Sequence, residues 1–411
     1  MTAAETPLTG LTTPAGHRTA PVLAVVATLM ALAPFSMDMY LPALPRMAAD
    51  LGTTPSHVQL SLTGMLVGLA VGQLLVGPLA DVVGRRTPVL VGLSCHVGAS
   101  LLCYLAADAT VLAGVRVLQG LSCAAVTVVS MATVRDLFAG GDYARVMSRM
   151  FLVIGVAPVI APAAGGIVIA HADWPNVFLV LAALGVALLA LALMAFPETL
   201  PTSRRAPAGL TATRASYGEL LRDRGYLSLI LVGGLMFSTL FCYVSGASFL
   251  FQDRFGLSEQ QSGLMFAANA VGLTVLAQLN PRLIRAFGPA RVLIVATSAG
   301  VLSAGTLLVL LSADAPFGWV VAALGVSVAG YGLSMPNSQA LALARQGHRA
   351  GTAAALMGFT QFVIGSAVAP AVGLGGADGV AMAVVMLAAT AGAAILMWAV
   401  VRRDEGTMAV R

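Results

Sequence analysis

The feature that most constrains this chain is a succession of apolar runs, each about twenty residues long, that recurs twelve times between residues 22 and 401. A helix rises about 1.5 Å per residue, so roughly 20 apolar residues match a hydrocarbon core about 30 Å thick. In lipid the backbone has no water to bond, and at this segment length only a helix satisfies its own carbonyls and amides. The pattern predicts helices over 22–45, 58–80, 88–107, 110–134, 145–170 and 174–196. A second set is predicted over 226–251, 260–281, 290–312, 316–340, 350–374 and 379–401. Composition agrees: 9% of residues are charged, against about 25% in a soluble domain. The expected fold is therefore an all-α membrane protein.

Charge gives a second, independent count. Every basic residue is an arginine. With the N-terminus inside, the cytoplasmic segments hold Arg18, Arg85, Arg86, Arg135, Arg145, Arg149, Arg204, Arg205, Arg214, Arg222 and Arg224, then Arg282, Arg285, Arg291, Arg345, Arg349, Arg402, Arg403 and Arg411. The external loops hold Arg46 and Arg254. One missed helix would scramble this partition, so the positive-inside rule supports both the count and the orientation. Acids such as Asp50, Asp173, Asp314 and Asp378 fall in the external loops and weigh little in orientation.

The polar stretch 198–225 reads as a cytoplasmic linker between two halves, 21–197 and 226–401, with cytoplasmic tails at 1–20 and 402–411. Gly84-Arg85-Arg86 follows the second helix, and Gly288-Pro289-Ala290-Arg291 follows the eighth. Pro162 and Pro370 are similarly matched. Two related six-helix halves are a common transporter plan, with substrate bound between them. Residues 1–20 lack a basic segment before a short apolar core, so the first run reads as a retained helix.

Several classes are excluded. The net charge of +5 is spread singly and in pairs between apolar runs, not clustered as a nucleic-acid face would be. The four cysteines lie inside apolar runs without metal-ligand spacing and read as packing residues. No hydrolase, zinc or phosphate-loop motif is present, so no enzyme, metal or cofactor is expected.

This topology leaves two charges well inside the bilayer, Asp38 in the first helix and Arg116 in the fourth. Each costs at least about 2.5–3.5 kcal/mol there, so each is expected to face a cavity or a partner. Their depths are similar, roughly 10 and 12 Å from the external loops, which permits a direct or water-bridged pair. Two readings stand: an ion pair that locks helices together, or a proton site whose affinity changes as Arg116 moves relative to Asp38. Arginine stays charged and is not the proton carrier. His96 reads as packed or locally hydrogen-bonded.

The motifs carry a resemblance. Gly77–Arg86 (GPLADVVGRR) resembles the loop between helices two and three of the major facilitator superfamily. Gly77 would permit close helix approach, and Asp81 would accept from the facing helix end. Gly84, Arg85 and Arg86 would anchor the cytoplasmic face, or the arginines serve topology alone. Arg116–Val126 (RVLQGLSCAAV) resembles the fourth-helix motif of proton-coupled members. Gly155–Gly166 (GVAPVIAPAAGG), with Gly155, Pro158, Pro162, Gly165 and Gly166, resembles the fifth-helix motif of antiporters; a kinked packing helix is the alternative. Ser36–Gly52 (SMDMYLPALPRMAADLG) is similar to the first-helix signature of the Bcr/CflA drug-resistance transporters, and Ser248–Leu273 resembles the same family's second half. Val82 and Met30 depart from it, standing where relatives carry a basic and an acidic residue.

The resemblance implies the major facilitator fold of two pseudo-symmetric six-helix bundles, in a bacterial inner membrane. It implies a proton-driven antiporter with Asp38 and Arg116 at the coupling positions, exporting compact antibiotics such as chloramphenicol or bicyclomycin. A symporter or metabolite exporter of the same fold is the alternative. In that fold helices one, four, seven and ten line the cavity. Asp38, Tyr40, Arg116, Gln119, Phe237, Phe241, Tyr243, Tyr331 and Asn337 are accordingly the expected substrate-binding residues; packing or interface roles, with Phe237 and Phe241 facing lipid, are the alternative. Such a mostly apolar pocket suits lipophilic drugs better than sugars. Expected partners are the lipid bilayer, protons and a small lipophilic drug or metabolite, with the chain acting as a monomer.

Overall fold

Helices form along almost every apolar run, and the loops between them are short. The structure, a computed structural model, describes residues 19–138, 140–205, 217–344, 346, 349–374 and 378–408. At 19–20, 140–141, 144–145, 148–149, 151–154 and 400–408 it describes backbone alone. The expected tail 1–20 therefore lies almost wholly outside the described residues, as do Arg18, Arg214, Arg345, Arg411 and the middle of the linker 198–225.

The long helices are α1 (Pro21–Asp50), α2 (Pro55–Val83), α3 (Arg86–Tyr104), α4 (Ala109–Leu137), α5 (Gly140–His171) and α6 (Asn176–Ala195). After the linker come α7 (Arg224–Arg254), α8 (Glu259–Phe287), α9 (Pro289–Ser312), α10 (Phe317–Leu343), α11 (Ala350–Gly373) and α12 (Val380–Ala399). Eleven of these are long and apolar enough to cross a bilayer. The remaining one, α5, contains the apolar stretch Gly155–His171. Helix α1 is interrupted: regular helix ends at Asp38, Leu41–Ala43 tightens to a 3₁₀ turn, and Leu44–Asp50 resumes. Helix α7 ends in a π-helical turn at Leu250–Arg254.

Local chemistry sets the ends. Asp108 accepts from the Thr110 and Val111 amides at 2.8 Å and caps α4. Asp223 caps α7 through the Tyr226 amide, and Ser258 with Gln261 forms a reciprocal capping box on α8. The internal repeat recurs in backbone geometry. Gly84 (φ +99°) ends α2 and Gly288 (φ +78°) ends α8, each before the next helix starts. A side chain at either position would hold strained backbone.

Within the first half α2 packs on α4, α3 on α4, and α3 on α6. Within the second, α7 packs on α10, α11 and α12, and α9 on α10 and α12. The α2–α4 contact is unusually close. A Cβ on Gly64 would lie 2.2 Å from the Ala113 carbonyl oxygen, one on Gly68 2.1 Å from that of Val117, and one on Gly120 2.1 Å from that of Met65. Small residues permit such backbone approach where lipid offers no hydrophobic drive to association. Two seams join the halves, α2 against α11 and α5 against α8. Large apolar side chains such as Leu302, Val309, Trp319 and Ile395 point outward, as a lipid-facing belt requires.

The two ends differ in charge. Arg85, Arg86, Arg204, Arg205 and Arg349 lie at one end with Asp81, Asp136, Glu198 and Glu219. The opposite, arginine-poor end holds Arg46 and Arg254. Arg46 reaches Asp173 at 2.8 Å and Asp50 at 3.8 Å; Arg254 reaches Asp314 at 2.8 Å and the Asp378 carbonyl. The acids that carry little topological weight thus neutralise the arginines there.

Candidate functional site

Arg116 is wholly buried in the first half, and the geometry around it is specific. The glycine approach of α2 to α4 brings the Ser61 carbonyl to 3.4 Å from its Nε. Its Nη1 donates to the Ser36 carbonyl at 2.8 Å and to Gln119 Oε1, whose Nε2 in turn donates to Ser100 Oγ at 2.8 Å. The Tyr40 ring lies 4.5 Å from the guanidinium carbon, and Phe178 lies 5.9 Å from it. Both are cation–π distances. Tyr40 in turn bonds Ser61 at 3.1 Å. The remaining nitrogen, Nη2, is buried and makes no well-formed hydrogen bond among the described residues.

Asp38 is 8% exposed and sits at the α1 break, where regular helix stops. No ion pair or hydrogen bond joins it to Arg116 or to any other described residue; both Arg116 and Tyr243 of α7 lie within its electrostatic range. The direct pair permitted by sequence is therefore not formed. Arg116 is held instead by backbone and amide oxygens, which leaves the carboxylate uncommitted. The Tyr243 hydroxyl, buried beside Asn269, also lacks a well-formed hydrogen bond. His96 is fully buried with Nε2 2.8 Å from Ser36 Oγ, matching the packed, locally bonded expectation.

The expected substrate-binding residues fall into separate groups. Tyr40, Arg116 and Gln119 form the cluster above. Phe237 and Phe241 stack at 5.6 Å, and Tyr331 is 5.9 Å from Phe237. Phe362 of α11 completes this aromatic group, 5.6 Å from Phe237, and Gln361 donates to the Tyr331 hydroxyl at 2.9 Å. Asn337 stands apart, donating to Asn280 of α8 at 2.7 Å. Sequence reasoning missed Ser36, Ser61, Ser100, Gln361, Phe362 and Asn280. A readable signal existed for the close packing, since Gly64, Gly68 and Gly72 recur every fourth residue. Two surface clefts, one along Thr274–Arg285 of α8 and one at Asp253, Arg254, Asp314 and Asp378, are lined by none of the expected residues.

The motif at the arginine-rich end is a charge network. Arg85, its side chain 4% exposed, bonds Asp81 at 2.7 Å and Asp136 of α4 at 2.9 Å. Asp81 thus accepts from the arginine one turn on, not from a facing helix end. Arg86 donates to the Leu193 carbonyl of α6 at 2.8 Å. Glu198, after α6, accepts from the amides of Arg85, Arg86 and Leu200. A Cβ on Gly84 would meet the Glu198 carboxylate, which would have to shift, and the positive φ itself calls for glycine. Gly77 corrects its expectation. Nothing lies within 4 Å of where its Cβ would be, so it permits no close approach in this structure.

Helix α5 runs unbroken past Pro158 and Pro162. A Cβ on Gly165 would lie 1.7 Å from the Met39 carbonyl oxygen, so this glycine admits the α1 break beside Asp38. Gly166 faces Gln260 and Glu259 of α8, and Gly155 makes ordinary contact with Thr274. Cys103, Cys123 and Cys242 are buried packing residues as expected; Cys95 is exposed.

Two six-helix membrane bundles joined along two seams, with Asp38 and Arg116 buried in the first, have the build of a solute transporter. The sequence profile of the Major Facilitator Superfamily matches residues 26–370. An uncharacterised transporter of that type, YdgK of Bacillus subtilis, is 34% identical over 91% of this chain and 93% of its own. The bicyclomycin resistance protein homolog of Haemophilus influenzae is 32% identical over 82% of this chain and 85% of its own. Among solved structures, a D-xylose–proton symporter superposes with a TM-score of 0.75 at 14% identity, covering 93% of this chain and 97% of the symporter. The chain belongs to the major facilitator superfamily, among its drug-resistance transporters. It is a multi-pass membrane transport protein and not an enzyme.

Proposed function

We propose that this protein is a proton-driven antiporter that exports small antibiotics of the bicyclomycin or chloramphenicol kind. It would sit in a bacterial inner membrane with both termini cytoplasmic, as the arginine partition favours. One observation carries the reading. Asp38 is an uncommitted carboxylate inside the bundle, close to a permanent cation that is tied elsewhere. A buried charge of that kind is costly and marks a transport or proton path more often than a packing contact.

Asp38 takes up and releases a proton. Arg116, fixed by Ser36, Ser61 and Gln119, sets its affinity, and helix movement that changes their separation changes that affinity. Tyr243 and the Phe237, Phe241 and Tyr331 group supply apolar and aromatic surface for a lipophilic substrate. Tyr40 and Gln119 support Arg116, and Asn337 ties α10 to α8 through Asn280. Gly155–Gly166 shapes the α5–α8 seam, while Asp81, Gly84, Arg85 and Arg86 hold the arginine-rich end. The membrane potential contributes about 2.3 kcal/mol per charge per 100 mV, enough for a modest export gradient.

A drug-susceptibility panel in a pump-deleted bacterial host tests this. Wild type should raise tolerance to at least one compact antibiotic several-fold, and Asp38→Asn, expressed at equal level, should not. Full tolerance in the Asp38→Asn strain contradicts the proposal.

A further inference from the structure

Three side chains on one face of α2, Ser56, Gln59 and Thr63, cross from the first half to the second. Each donates to a backbone carbonyl: Ser56 Oγ to Pro370 at 2.9 Å, Gln59 Nε2 to Ser245 at 2.9 Å, and Thr63 Oγ1 to Ser366 at 3.0 Å. From the second half, Ser248 Oγ donates to the Leu41 carbonyl, and Gln252 Nε2 to that of Pro42 at 2.8 Å. All five bonds lie at the arginine-poor end. Gln59 and Ser366 are buried, and a Cβ on Gly373 would lie 2.4 Å from the Ser56 Cα, so the helices touch closely there.

Pro370 explains why carbonyls are available on α11. Proline has no N–H, so the carbonyl four residues earlier, Ser366, loses its helical donor. Thr63 supplies the replacement. The carbonyl of Pro370 itself lies in the last turn of α11 (Ala350–Gly373), and Ser56 donates to it. The carbonyl that proline leaves without a helical donor in the second half is thus satisfied by a hydroxyl of the first.

We propose that Pro370 and Thr63 form a latch that sets how readily the arginine-poor ends of the two halves separate. Separation breaks the Thr63 bond and hands a donor-less buried carbonyl to whatever enters the seam. Water satisfies that carbonyl and apolar chains do not, so the latch ties opening to wetting of the seam. Thr63 acts through Pro370: were residue 370 able to donate, Ser366 would be satisfied within its own helix and Thr63 would matter little. This inference needs alternation between the halves, not proton exchange or any particular drug.

A double-mutant cycle on the full chain in nanodiscs tests it, with spin labels at the exposed loop positions Ala107 and Ala313 in a background without the native cysteines. Thr63→Val should raise the long-distance population relative to the short roughly 3- to 10-fold, the net worth of an intramolecular hydrogen bond. In a Pro370→Ala background the same change should shift it less than about twofold, because the alanine amide now serves Ser366. Thr63→Ser should behave as wild type, which separates the hydroxyl from mere packing. Equal shifts from Thr63→Val in both backgrounds, or an unmoved distribution, overturn the latch. Transport by the same variants reads out separately. Absence of drug tolerance in wild type, with the cycle intact, tells against the export proposal alone.

Discussion

Arg116 donates to the carbonyl of Ser36 at 2.8 Å and makes no ion pair with the carboxylate of Asp38, two residues further on. The cation is therefore secured by neutral oxygens, and the acid beside it keeps its freedom to titrate. A direct pair would have held the carboxylate in its charged form.

Arg116→Ala should be strongly destabilising. It removes hydrogen bonds to Ser36, Ser61 and Gln119 inside a fully buried cluster. Each buried neutral acceptor left without its donor costs about 1–3 kcal/mol. Arg116→Lys should recover less than half of that, because an ammonium lacks the planar fork that reaches several acceptors. Thermal unfolding of purified protein in detergent measures both. Equal stability of wild type and Arg116→Ala contradicts the assigned geometry.

Gly165→Ala and Gly77→Ala should differ sharply although both glycines lie in recognisable motifs. The first places a methyl against the Met39 carbonyl oxygen and must displace the α1 break; the second meets open space. Overpacking of this kind costs about 1–3 kcal/mol, and an unhindered change under about 0.5 kcal/mol. Expression level and unfolding temperature give the comparison. Similar losses in the two variants would show that the α1–α5 approach is not as tight as described.

Glu198 should lend stability that disappears in acid. Burial acts to raise its pKa, but three backbone amides and Arg205 outweigh this and hold it below the ordinary glutamate value. A group whose folded pKa is depressed stabilises above its unfolded pKa and loses that contribution as pH falls through the folded pKa. With the side chain 31% exposed, the net worth is about 1 kcal/mol. Glu198→Gln should therefore be less stable than wild type near pH 7, and the gap should close below the usual glutamate range. A gap independent of pH contradicts the capping role.

Much of the fold was legible because lipid leaves few options. Apolar length specified the helices, and the arginine partition specified which loops share an end. The GPLADVVGRR loop located Arg85, although its partner Asp136 was missed because nothing in sequence says which helix of a bundle faces it. The same blindness explains the site. Asp38 and Arg116 stood out as charges in apolar runs, whereas Ser36, Ser61 and Ser100 are unremarkable residues whose carbonyls or hydroxyls matter only through contact. The aromatic group was half visible: Phe237, Phe241 and Tyr331 lie on helices that the resemblance placed at the cavity, and Phe362 lies on one it did not. The break in α1 was also hidden, since the apolar run continues through Asp38 to Leu44.

The most direct test of the central claim is proton release on drug binding. Purified protein in weakly buffered detergent is mixed with bicyclomycin or chloramphenicol, whichever the susceptibility panel shows to be exported, and the pH is followed with an indicator dye. Binding to wild type should release protons in proportion to bound drug, and Asp38→Asn should bind without releasing them. Proton release from Asp38→Asn equal to wild type, or drug binding to wild type with none, would contradict the assignment of Asp38 as the exchanging carboxylate.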